Sequence, residues 1–231
     1  MHKISFLLII ACSFISWSPT TNYRAHYAED YEQALKFIQE NKSAFSKASK
    51  KYGIEEKALK AVVFPELMRF NLLQNLLETE ALELLYVQSG SKAVDFSISN
   101  FQMKPSFVEK LEEFVAQNDP TLEQFQSICS YGNLTDDKQI RKKRLERLSS
   151  LEWQLKYLSV FYKVAESKTR KDLPKTEQIK KIAAYYNCGL HRTNAELEKL
   201  IKRPSYPYGY SVNAKCQHVY SDISAYYYQH H

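Results

Sequence analysis

The sequence predicts a mainly α-helical fold, on three observations. Only 5 Gly and 7 Pro occur in 231 residues, too few punctuating residues for a turn-rich all-β chain. Apolar residues recur at helical spacing through most of the length. The Gly and Pro fall between those stretches, where helices end and begin. The length is enough for one domain with a real core. Hydrophobic content of 44% and charged content of 25% are ordinary for a globular protein. The net charge of +6 suits an anionic partner such as a cell-wall polymer, nucleic acid or a membrane surface, without choosing among them.

Residues 1–18 read as an export signal. His2 and Lys3 supply a short positive region, and Ile4 to Ala11 is apolar apart from Ser5. The run is too short to span a bilayer. Ile-Ile-Ala11-Cys12 resembles a bacterial lipobox, and cleavage before Cys12 would leave a lipidated cysteine as a membrane anchor. The other reading is plain export, with cleavage near Ser16-Trp-Ser18. Either way residues 19–231 form the mature domain, placed in the periplasm or cell envelope. Disulfides persist in such a compartment. Cys129, Cys188 and Cys216 then allow one pair and one free thiol, with the pairing open. There is no CxxC and no His–Cys cluster at ligand spacing, so no metal site is expected. His191 and His218 read as surface residues.

Ala34, Leu35, Ile38 and Phe45 predict helix from Asp30 to Lys51, broken near Asn41. Gly53 ends it, and Glu55 and Glu56 suit the positive end of the next helix. That next helix carries Ala61-Val-Val-Phe-Pro-Glu-Leu-Met-Arg-Phe70. Leu59, Val62 and Val63 mark an apolar stripe, and Glu66 falls on it. Burial should raise the pKa of such a carboxyl, which is how a general acid is kept protonated near neutral pH. The plainer reading is an ion pair with Arg69, three residues on. Pro65 predicts a kink or an end to the helix. Leu72, Leu73, Leu76, Leu77, Leu82, Leu84 and Leu85 follow as an expected core segment.

From Ala93 the period changes to two. Val94, Phe96 and Ile98 alternate with Asp95, Ser97 and Ser99, predicting a short extended piece and a turn at Ser99-Asn100. Asp95 then faces the surface. Gln102, between Phe101 and Met103, is an amide that needs partners. Pro105 suits the first turn of a helix with Phe107, Leu111, Phe114 and Val115 on its buried face. Asn118-Asp-Pro120 reads as a turn. One long helix is predicted from Asp137 to about Glu166, its basic first half (Arg141, Lys142, Lys143, Arg144, Arg147) a solvated face. A helix through Ile179 ends in Tyr185-Tyr186-Asn187-Cys-Gly189, with its last turn able to face a cleft. A short helix over Ala195 to Lys202, an irregular Tyr- and Pro-rich loop and a terminal helix with Val219, Ile223 and Tyr226 to Tyr228 close the chain.

Four of these pieces, in this order, resemble the soluble-type lytic transglycosylases of the lysozyme-like superfamily. Tyr52-Gly53-Ile54 leads the helix on which Glu66 takes the position of the family's catalytic Glu. Ser99-Asn-Phe-Gln102-Met-Lys-Pro105 looks like the family's Gly-Leu-Met-Gln stretch. Ala184-Tyr-Tyr186-Asn187-Cys-Gly189 looks like its Ala-Tyr-Asn-Ala-Gly. Val219-Tyr220 looks like the start of its closing helix. The likeness spans roughly residues 50 to 228. Leu67 replaces the family's Ser after the acid, Ser99 replaces its Gly, and residues 109 to 178 are a large insertion.

The resemblance implies a lysozyme-like single domain with a short extended segment and helical insertions. It also implies cleavage of the β-1,4 bond between N-acetylmuramic acid and N-acetylglucosamine of peptidoglycan, without a cofactor. Glu66 would act as acid and base, with Ser99, Asn100, Gln102, Tyr186, Asn187 and Tyr220 around the saccharide. Tyr186 would hold Glu66 or the sugar through its hydroxyl. The alternatives are a hydrolytic muramidase and a non-catalytic wall-binding or scaffold protein. A nucleic-acid role is disfavoured by the export signal.

Overall fold

The computed structural model describes residues 21–73, 79–117, 119–209 and 217–231. The stretch read as an export signal, with Cys12, and Cys216 lie outside this range, as do Leu76 and Leu77; the side chains of Leu72 and Leu73 are not described either. The described chain is mainly α. It comprises α1 (Tyr23–Glu40), α2 (Lys42–Tyr52), α3 (Glu56–Leu73), α4 (Thr79–Ser89), α5 (Pro105–Ala116), a 3-10 helix (Pro120–Ile128), α6 (Asp137–Leu148), α7 (Leu151–Lys168), α8 (Lys175–Cys188), α9 (Asn194–Leu200) and α10 (Tyr220–His230). Among the described residues no helix is long and apolar enough to cross a membrane.

The first helices break where expected. Asn41 separates α1 from α2. Gly53 closes α2 at φ 60°, a left-handed conformation that costs glycine little. α3 is the centre of the molecule, with α1, α2, α7, α8 and α10 packed around it. Every residue from Ala61 to Met68 is buried, so the expected stripe is in fact a helix covered on all sides. Nor does α3 end at Pro65, which sits inside it. Pro65 forfeits the hydrogen bond to the Ala61 carbonyl, while the surrounding helices hold the rest of α3 in register.

Other expectations are corrected. Leu84 and Leu85 are 64% and 46% exposed, because α4 packs chiefly against α6 and leaves its far side uncovered. The long helix after Asp137 is two helices, divided at Ser149 and Ser150. Its basic half is a solvated face only in part: Lys142 and Lys143 are exposed, but Arg144 and Arg147 are buried. Arg147 donates to the carbonyls of Ile128 and Ser130 and lies over the rings of Tyr131 and Trp153, both 4.1 Å away. Of the expected Asn-Asp-Pro turn, Asn118 lies outside the described residues; Asp119 leads into the 3-10 helix, its side chain accepting from Thr121 N. The extended piece reduces to a single bridge between Ile98 and Met103. His218 is half-buried against Tyr23, His26 and Tyr27. Buried apolar residues from α1 to α10 form one core.

Candidate active site

A cleft of about 490 Å³ opens beside α3. Glu66 and Arg69 of α3, Gln102 and Lys104 of the turn before α5, and Tyr186 and Asn187 of α8 are among its lining residues. The helix centre thus supplies the carboxyl, and the last turn of α8 supplies the opposite wall.

Glu66 is 3% exposed. Its Oε1 accepts from Arg69 at 3.1 Å, so the ion pair is present. Its Oε2 is buried and has no hydrogen-bond partner. The Tyr220 hydroxyl is directed at the carboxyl but stops short of full hydrogen-bond geometry. Burial pushes the Glu66 pKa above the usual carboxylate range, against the opposing pull of Arg69 first, then of the Tyr220 hydroxyl and Lys104. The surrounding phenols of Tyr186, Tyr206 and Tyr220 are pushed well above 10, mainly by burial. Glu66 therefore faces neutral hydroxyls and one close cation.

The predicted site residues divide. Glu66, Gln102, Tyr186 and Asn187 come together at the cleft. Tyr220 does not line it and sits behind the acid, almost wholly buried. Ser99 and Asn100 belong to the turn and do not line the cleft. Ser99 adopts φ 57° and Gln102 φ 49°, and the Gln102 side chain donates to the Ser99 carbonyl at 2.8 Å. Tyr186 holds neither Glu66 nor the cleft by its hydroxyl, which donates to the Phe101 carbonyl at 2.8 Å. Asn187 is likewise committed within the protein. It accepts from Arg69 at 3.4 Å and donates to Ser205 Oγ at 3.1 Å. Asp95 stays at the surface, partly covered, and accepts from the Ser106 amide and hydroxyl at the start of α5.

Gln154 was not singled out in the sequence. It is buried on α7, accepts from Phe101 N and donates to Ser99 Oγ, so it grips the same turn from below. Its signal was an amide among Leu151, Leu155 and Leu158. Cys129 and Cys188 carry free thiols, and burial pushes that of Cys188 up to about 11. Among the described residues no group of three His, Cys, Asp or Glu side chains is placed to hold a metal ion. No family model, curated protein or solved structure matches this chain.

Proposed function

We propose that this chain is an exported lytic transglycosylase of the lysozyme-like type, acting on the glycan strands of peptidoglycan. One observation carries the reading. A buried carboxyl with a raised pKa and one oxygen without a partner stands in the wall of a cleft, and Glu66 is the single carboxylate among the lining residues. Glycosidases that work by water attack or a covalent intermediate generally need a second carboxylate across the scissile bond. A single acid suits a reaction in which the substrate supplies the nucleophile. Glu66 protonates the glycosidic oxygen as the bond to C1 breaks. The acetamido carbonyl oxygen of the muramic residue bonds to C1, and the Glu66 carboxylate then accepts the proton of the C6 hydroxyl as that oxygen attacks C1, displaces the acetamido oxygen and closes the 1,6-anhydro ring.

The Glu66–Arg69 pair and the burial of Oε2 favour a second reading, in which the fold binds glycan without cleaving it. Digestion of purified peptidoglycan, read by mass spectrometry, separates the readings. Anhydro-muramic products, falling roughly 100-fold or more in Glu66→Gln, are expected. Hydrated reducing ends would identify a muramidase instead. Glycan binding without turnover in both proteins would support the scaffold.

A further inference from the structure

We propose that Arg69 is a positioning residue for the acid: by holding Oε1 it fixes the orientation of the Glu66 carboxyl, the group that gives and takes the proton. The proposal rests on the transglycosylase reading. It begins from an apparent conflict, since a guanidinium beside a carboxyl opposes the protonated form that a general acid needs.

The geometry resolves the conflict. Arg69 is held from several sides. One arm meets Glu66 Oε1 at 3.1 Å, and another donates to Asn187 Oδ1 at 3.4 Å. Asn187 in turn donates to Ser205 Oγ, which is fully buried. The guanidinium carbon lies 5.4 Å from the Tyr220 ring centre and 5.9 Å from that of Tyr206. The arginine plane is thus clasped between α10 and the loop after α9, and tethered to the end of α8. A carboxylate oxygen bound to so fixed a donor fixes the orientation of its partner oxygen.

The charge has a second effect. A single group that must first donate and then accept a proton works best with a pKa near the working pH. Burial among neutral phenols would by itself carry Glu66 far above that range, leaving a poor acid. Arg69 is the strongest influence pulling it back. The other facing groups are the neutral hydroxyls of Tyr186, Tyr206 and Tyr220 and the more exposed Lys104. Asn187, which the motif placed against the sugar, then acts through Arg69.

The test is a carboxyl titration by NMR on protein labelled with 13C at the glutamate carboxyl, with the Glu66 signal assigned by its loss in Glu66→Gln. In Arg69→Met the midpoint is expected to rise by about one pH unit or more, and in Arg69→Lys to stay closer to wild type. The alkaline limb of kcat/KM for glycan cleavage should move with the midpoint. A purely structural ion pair would move the midpoint and leave the limb where it is. An unchanged midpoint, or a moved midpoint with an unmoved limb, overturns the proposal. If wild type cleaves no glycan while the midpoint still shifts, the transglycosylase reading fails and the hold of Arg69 on Glu66 stands. Should Arg69→Met not fold, Asn187→Ala removes the tether but keeps the charge, and a smaller rise is expected; no rise overturns the proposal.

Discussion

Two arginines in this chain sit among tyrosines, and their carboxylate partners end differently. Arg144 on α6 meets Glu109 at 3.2 Å and Glu112 at 2.8 Å. It also donates to the Tyr86 hydroxyl at 2.7 Å. Both carboxylates take further donors: Tyr86 and Ser91 on Glu109, and Tyr131 on Glu112. Arg69 on α3 meets Glu66, whose second oxygen is left without a partner. The first centre satisfies its carboxylates at every turn and ties α4, α5 and α6 together. The second leaves one buried carboxylate oxygen unmatched, which carries a cost. The difference separates a fully satisfied clamp from a pair with a free acceptor.

Removing the cation at each centre should give the largest contrast. Arg144→Met leaves Glu109 and Glu112 facing each other without their counter-charge. It is expected to lower stability to urea by roughly 3 kcal/mol, the low end for breaking a buried pair because Glu109 stays partly hydrated. Arg69→Met should cost less, because Glu66 can neutralise itself by taking a proton. Equal losses in paired urea titrations would erase the distinction. The next contrast uses the phenols. Tyr86→Phe loses hydrogen bonds to charged partners and should cost about 2 kcal/mol. Tyr220→Phe loses a hydroxyl that completes none and should leave stability unchanged or slightly higher.

The smallest effect is a pH dependence, read from thermal melts across a pH series. The folded pKa of Glu66 is raised, so the folded state binds the proton more tightly than the unfolded chain does. The stability this brings is fully present below the ordinary glutamate value, and is lost as pH rises through the raised folded value. Glu66→Gln removes that loss while keeping an acceptor for Arg69. The variant should gain on wild type as pH rises through this window and lose the gain below it. A gap that stays constant with pH would mean that Glu66 titrates normally.

Much of the α-helical order was legible because local signals and packing agree. Gly53 and Asn41 end helices where their chemistry says they should, and Pro105 starts one. Glu66 was legible for the opposite reason, as a charge where only apolar residues belong. The basic run of α6 misled because its partners lie far away in sequence. Glu109 and Glu112 come from another helix, and the Ile128 carbonyl from the 3-10 segment. Periodicity carries no trace of them. Leu84 and Leu85 misled in reverse, since a leucine run does not say whether anything comes to cover it. The motif residues Tyr186 and Asn187 do line the cleft, but their polar atoms bond within the protein. A hydroxyl or amide beside a cleft satisfies itself within the protein when a fixed carbonyl or guanidinium is in reach.

The turn from Ser99 to Gln102 carries a consequence of its own. Two side-chain-bearing residues there occupy left-handed backbone conformations, each at an expense of about 1 kcal/mol that glycine would avoid. In exchange, the Ser99 hydroxyl gives Gln154 something to grip, and the Phe101 carbonyl is presented to Tyr186. The rim of the cleft is therefore braced rather than hinged. A ligand entering it would meet a wall already in its final shape, and any yielding needed for entry would have to come from elsewhere around the groove.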